Sequence, residues 1–290
     1  MEVARLQIQI LMKRSRVLRF TGIGFLACVV LAILGPYHAR TVPPCSTLKG
    51  PQHHTQELRA SYCPYQVIAV WPHDPGAFTQ GLAYDQGYLF EGTGLVGRSS
   101  LRRVALQTGE VVQWHALSPD DFGEGITVFG DRIYQLTWLS HVGFVYDKTS
   151  FELLKTFAYL GEGWGLTHDG RRLIMSDGTA TLRFIDPEAL SEIGRVTVFD
   201  GWKPVTHLNE LEYINGFVYA NVWQTDRIAR IDPQTGYVTG WIDLSSLREF
   251  LPAGAVVDVL NGIAYDDQND WLIVTGKLWP AVFVVQVRAR

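Results

Sequence analysis

The chain has few cysteines, little basic charge beyond its first 64 residues and an apolar run too short for an ordinary membrane span. Each shortage excludes a class of protein. The three cysteines are Cys28, Cys45 and Cys63, and without a C-x-x-C pair a zinc or thioredoxin-like site has no support. No G-x-S-x-G occurs, so serine-hydrolase chemistry is unsupported. Long helical periodicity is missing after residue 35, which points away from a helical body. Of the 25 basic and 29 acidic residues, 8 and 2 fall in the first 64 positions, leaving 17 against 27 and a net charge near −10. That balance opposes nucleic acid and anionic membrane as partners of the main body and favours cationic ligands such as free amines.

The first 64 residues read as a unit of their own. "MKRSRVLRF" supplies Lys13, Arg14, Arg16 and Arg19, the apolar run Phe20 to Leu34 follows, and Gly35-Pro36 ends it. This is the pattern of a targeting segment, so the protein is expected to be exported, to a periplasmic or extracellular location. At 15 residues the run suits a signal region better than a full span. No A-x-A site follows, however, and membrane anchoring through an uncleaved segment at residues 20–34 stands as the alternative. Cys45 and Cys63 lie in the polar connector "PPCSTLKGPQHHTQELRASYCP", where a disulfide and two separate thiols are equal readings.

The remainder, residues 65–290, has the composition of a large core: 47% of the whole chain is hydrophobic and 12% aromatic. With 28 Gly and 13 Pro, many short strands and tight turns are expected. Five segments share a template of an apolar pair after a Gly or its substitute, a polar turn and a second apolar run: "FTQGLAYDQGYLFEGTG", "FGEGITVFGDRIYQLTW", "GWGLTHDGRRLIMSDG", "LNELEYINGFVYANVW" and "LNGIAYDDQNDWLIVTGK". Their aligned apolar residues, Leu82, Ile126, Leu166, Leu211 and Ile263, are spaced 44, 40, 45 and 52 apart, as in propeller blades. Four of the segments are followed by a further strand pair. The fifth has only "AVFVVQV" before the chain ends, and "YQVIAVWPH" from Tyr65 is spare. An all-β, five-bladed β-propeller follows, in which the N-terminal strand closes the last blade and leaves no exposed edge.

First strands of propeller blades line the axis, so equivalent positions become neighbours around a ring. The residue before the Gly position is Gln80, Glu124, Trp164, Asn209 or Asn261; the end of the second strand, on the same face, is Gly94, Trp138, Gly178, Trp223 or Lys277. One carboxylate, one lysine, several amides and three indoles thus converge on one mouth, the composition of a ligand site. Burial among the indoles favours neutral Glu124, whereas Lys277 favours its charged form, and the two effects oppose. The turn "YDDQND", Tyr265 to Asp270, reads as a solvated hairpin.

"FTQGL", "EGT", "GEGIT", "GWGLT", "LNELEY", "ANVW", "LNGIAY" and "TGKLWP", in this order, resemble the glutaminyl-peptide cyclotransferases of the plant and bacterial β-propeller type over residues 65–288. The resemblance implies conversion of an N-terminal Gln of peptides or proteins to pyroglutamate with release of ammonia. It implies Glu124 as the catalytic carboxylate, supported by Asn209 and Lys277, with Phe78, Gln80, Trp138, Trp164 and Trp223 shaping the pocket. No cofactor and no catalytic metal are implied, and no ligand cluster stands out for a calcium site of the plant members. Two alternatives fit the same rings: a calcium-dependent, lactonase-like hydrolase holding its ion on Glu124, Asn209 and Asn261, and a non-catalytic binding propeller. Calcium takes six or more oxygens, usually several from carboxylates, and a lysine in the ring counts against it.

Overall fold

A computed structural model describes residues 60–288; the apolar run at residues 20–34, read above as a targeting segment, and Cys45 lie outside them, and with them the question of a Cys45–Cys63 bridge. The described residues form a propeller of five four-stranded antiparallel sheets. Blade 1 runs Thr79–Asp85, Tyr88–Thr93, Ser100–Ala105 and Val111–Ala116; blade 2, Gly123–Phe129, Arg132–Thr137, Val142–Asp147 and Leu153–Ala158. Blade 3 runs Leu166–His168, Leu173–Ser176, Thr181–Ile185 and Glu192–Thr197; blade 4, Leu208–Ile214, Phe217–Val222, Arg227–Ile231 and Val238–Asp243. Blade 5 has Leu260–Asp266, Trp271–Gly276 and Ala281–Val287, and its outer strand is Tyr65–Pro72 from the other end of the sequence. Pairing from Tyr65↔Val287 to Pro72↔Ala281 closes the ring as expected.

Burial explains the strand patterns. Second strands such as Arg132–Thr137 are covered on both faces and nearly continuously buried, whereas the outer strand Val111–Ala116 is largely exposed. Five apolar clusters fill the five gaps between blades, for example Leu82, Val104, Ile273 and Val284 between blades 1 and 5. Full burial of one such side chain contributes about 1.5–3 kcal/mol, so each interface is held by many small terms. The first hairpin of blade 4 turns on Asn215 and Gly216, both at positive φ (48° and 91°), a conformation that asparagine and glycine adopt at low cost.

Three features depart from the plain repeat. The hairpin Phe199–Asp200/Lys203–Pro204 is inserted between blades 3 and 4, and the 3-10 helix Ser245–Phe250 between blades 4 and 5 accounts for the long spacing of 52 before Ile263. Residues 60–64 pack on blade 4, where Cys63 N–H donates to the Trp241 carbonyl at 2.7 Å and Trp241 N–H to Ser61 at 3.0 Å. Finally, the turn after Tyr265 is not wholly solvated. Its exposed residues surround a buried Asp266 that accepts Gln268 N–H and the Asn269 amide.

Candidate active site

The mouth is built from a backbone irregularity repeated around the ring. In blades 1, 2, 4 and 5 the first strand bulges between Thr79 and Gly81, Gly123 and Ile126, Leu208 and Leu211, and Leu260 and Ile263. In blade 3 Trp164 and Gly165 both bond to Ser176, two residues facing one. A bulge re-aims the side chain it frees from the ladder. The freed residues are Gln80, Glu124, Trp164, Asn209 and Asn261, all at least nine-tenths buried. Inner strands touch backbone to backbone at these bulges: a Cβ on Gly81 would overlap the Ile126 nitrogen, and one on Gly165 the Asn209 carbonyl oxygen.

Around Glu124 the contacts are specific. Gln80 Nε2 donates to Glu124 Oε1 at 3.0 Å, and Asn261 Nδ2 lies 3.5 Å from Gln80 Oε1, so the Gln80 amide is turned with its donor toward the carboxyl. Lys277, 1% exposed, makes no ion pair or hydrogen bond through its ammonium among the described residues. That ammonium stands 4.9 Å from the centre of the Phe78 ring. Burial raises the Glu124 pKa; Lys277 lowers it and Glu162 raises it further, and the net result lies well above the usual carboxylate range. Burial pushes Lys277 the other way, down, against the attraction of Glu124 and Asp258. Desolvation therefore wins over the mutual attraction of the pair. Asn209 makes no side-chain hydrogen bond among the described residues, and its Oδ1 is buried without a partner among them.

Aromatic rings pack against one another beside these residues. Trp164 meets Trp223 edge-on at 5.8 Å, and Phe122 links Phe78 (6.2 Å) to Trp138 (5.4 Å). Trp138 Nε1 and Trp164 Nε1 both donate to one oxygen of Glu162, at 2.7 and 2.9 Å. The sequence alignment supplied one carboxylate to the mouth; the structure supplies two. Phe122 and Glu162 were missed although a signal exists, since each lies two residues before its blade's bulge residue. That row is Phe78, Phe122, Glu162, His207 and Val259, and in four blades its carbonyl accepts the N–H of Gly94, Trp138, Trp223 or Lys277 at 2.8–2.9 Å. Gly94 and Gly178 complete the second row without side chains because Phe122 and Trp164 occupy the space.

Beneath the mouth a further carboxyl was also unanticipated. Glu210 stands where the other blades have Gly81, Gly125, Gly165 and Gly262, and it accepts Leu82 N–H at 3.2 Å and Ile263 N–H at 2.6 Å. It thereby ties blade 4 to blades 1 and 5 across the axis. Burial raises its pKa well above the ordinary value, and repulsion from Glu212, itself pushed up to about 8 by burial, adds to the shift. Among the described residues no group of three or more His, Cys, Asp or Glu side chains is placed to hold a metal ion.

Comparison with known proteins gives a consistent family. Residues 41–287 match the family model described as glutamine cyclotransferase. The glutaminyl-peptide cyclotransferase of Arabidopsis thaliana is 47% identical over 227 residues, covering 77% of this chain and 71% of that protein. The crystal structure of Myxococcus xanthus glutaminyl cyclase matches with a TM-score of 0.74 at 38% identity, covering 80% of this chain and 99% of that one.

Proposed function

The chain belongs to the glutamine cyclotransferase family, and from that premise we propose that it closes the N-terminal glutaminyl residue of peptides and proteins by acid–base catalysis through Glu124. The observation that carries this reading is Glu124 itself: a buried carboxyl hydrogen-bonded to an uncharged amide, with a buried ammonium, that of Lys277, in the same mouth.

The α-amine nitrogen attacks the side-chain carboxamide carbon of the same residue. One C–N bond forms, the bond to the amide nitrogen breaks, and ammonia leaves with no other reactant consumed. A carboxyl whose pKa burial raises above the ordinary value can, as its carboxylate, take the proton of the substrate's ammonium and later hand it to the departing nitrogen. Lys277 and Asn209 are the groups that meet the oxygen on which negative charge develops. The indoles of Trp138, Trp164 and Trp223 hold the flat carboxamide in the reactive conformer, the positioning share of the catalysis.

Ammonia release from a Gln-initiated dipeptide tests the reading, with an N-acetylated control in which the nitrogen lone pair is withdrawn. Release from the first and none from the second is expected; equal release from both would overturn the cyclisation. Residues 1–64 are read as an export segment and linker, a proposal that cell fractionation checks.

A further inference from the structure

His73 sits where the ring is closed. It follows directly on the strand Tyr65–Pro72 and leads to Phe78 at the mouth. Both nitrogens of its buried imidazole face acceptors: Nδ1 lies 2.8 Å from the Trp279 carbonyl, and Nε2 3.1 Å from Glu91 Oε1. A carbonyl only accepts, and the same Glu91 oxygen already accepts the Thr79 hydroxyl at 2.7 Å. The pair therefore shares the protons of an imidazolium facing a carboxylate. Arg102 stands 3.9 Å from the other Glu91 oxygen and bonds Asp74 at 2.7 Å. Burial alone would lower the His73 pKa and raise that of Glu91, but their mutual attraction reverses both.

The carbonyl that His73 holds belongs to the turn carrying Lys277. Between Lys277 and Trp279, Leu278 has φ 62°, a left-handed conformation that persists only when its surroundings over-determine it. The segment 73–78 provides those surroundings. His73 N–H donates to Pro280 at 3.0 Å, Leu278 N–H donates to Ala77 at 2.7 Å, and the Phe78 ring faces the Lys277 ammonium. From the other side Trp279 Nε1 donates to Asp258 at 3.0 Å. Ring closure does not need the imidazole for this, because strand pairing from Tyr65 to Pro72 already achieves it.

We propose that His73, through its hold on the Trp279 carbonyl, is a positioning residue for Lys277: it fixes the Lys277–Trp279 turn, so that closure of the propeller and placement of the cation are one structural unit. The proposal rests on the reading of Lys277 as a cation of the cyclisation.

Two substitutions separate the two ring nitrogens. His73→Asn places an amide donor where Nδ1 was and keeps the Trp279 carbonyl while losing Glu91; His73→Gln reaches Glu91 and loses the carbonyl. The Gln variant is expected to lose about 10-fold or more in kcat with KM within about 2-fold, and the Asn variant to stay within about 3-fold of wild type. Acetylation of the full chain by acetic anhydride, mapped on peptides, supplies a readout that a merely structural role would not move. Lys277 should stay protected in wild type and the Asn variant and become labelled in the Gln variant, with exposed Lys203 as internal standard. Equal kcat in both variants, or unchanged Lys277 labelling in a folded Gln variant, overturns the proposal. Should the Gln variant not fold, a folded Asn variant with labelled Lys277 does the same. A wild-type protein that releases no ammonia from Gln peptides sinks the cyclisation reading instead, and a Lys277→Ala variant with full turnover sinks only the role of the lysine; the labelling result stands apart from both.

Discussion

Gln80 donates its amide to Glu124 across the boundary between blades 1 and 2 at 3.0 Å. The partner is neutral, so the contact supports the carboxyl without supplying the cation that would keep it ionised at ordinary pH. A carboxyl held this way is costly to ionise and weakens the fold once pH passes its ordinary range.

Glu124→Gln keeps the shape and the hydrogen-bond acceptor. It should lower turnover by about 10² to 10⁴, the range for losing a general acid–base group. The same change should raise thermal stability at pH 7–8. Because the folded pKa is raised, the wild-type carboxyl loses stability as pH climbs from its unfolded value, about 4.3, to its folded one, and below that both states are protonated. The gain in Tm should therefore vanish near pH 4. Turnover within threefold of wild type, or an equal Tm gain at both pH values, would remove Glu124 from this role.

Glu162 holds Trp138 and Trp164 through one oxygen. Glu162→Gln retains a carbonyl oxygen for both indoles but removes a charge that raises the Glu124 pKa. Its KM should stay near wild type while the limb of the pH–rate profile governed by Glu124 moves to lower pH. Glu162→Ala leaves both indole donors without that acceptor and should raise KM about 10-fold, roughly 1.4 kcal/mol. Identical pH profiles for wild type and the Gln variant would show that the charge does not reach the site.

Glu210→Gly restores the residue type found at this position in the other blades. It should nonetheless destabilise, because Leu82 N–H and Ile263 N–H lose their acceptor, at about 1–3 kcal/mol each. Urea unfolding checks it: a midpoint equal to or above that of wild type would mean that water replaces the carboxyl fully.

Truncation probes closure. Removing residues 1–59 should leave the ring intact, whereas removing residues 1–75 takes away the strand paired with Ala281–Val287 and also His73. The shorter deletion should melt cooperatively and turn over substrate; the longer should expose blade 5 to limited proteolysis. A protease-resistant, active product of the longer deletion contradicts the pairing as the source of closure.

Blade number, the closing strand and the two rows at the mouth were legible in the sequence because a propeller turns spacing into neighbourhood. Residues 40 to 52 apart occupy equivalent places, and alternation with Gly, Asn and Asp turns marks where each strand ends. Alignment thus placed Gln80, Glu124, Asn209 and Lys277 on one mouth without coordinates. It did not distinguish Glu210 from the glycines it replaces, since only the gap across the axis shows that its carboxyl spans to two other blades. Glu162 and Phe122 share a readable row, but their contacts with the indoles depend on side-chain direction. The direction of the Glu124 shift is a contest between burial and the pull of Lys277, decided by their separation and by solvent exclusion. Those quantities exist only once the five sheets have packed.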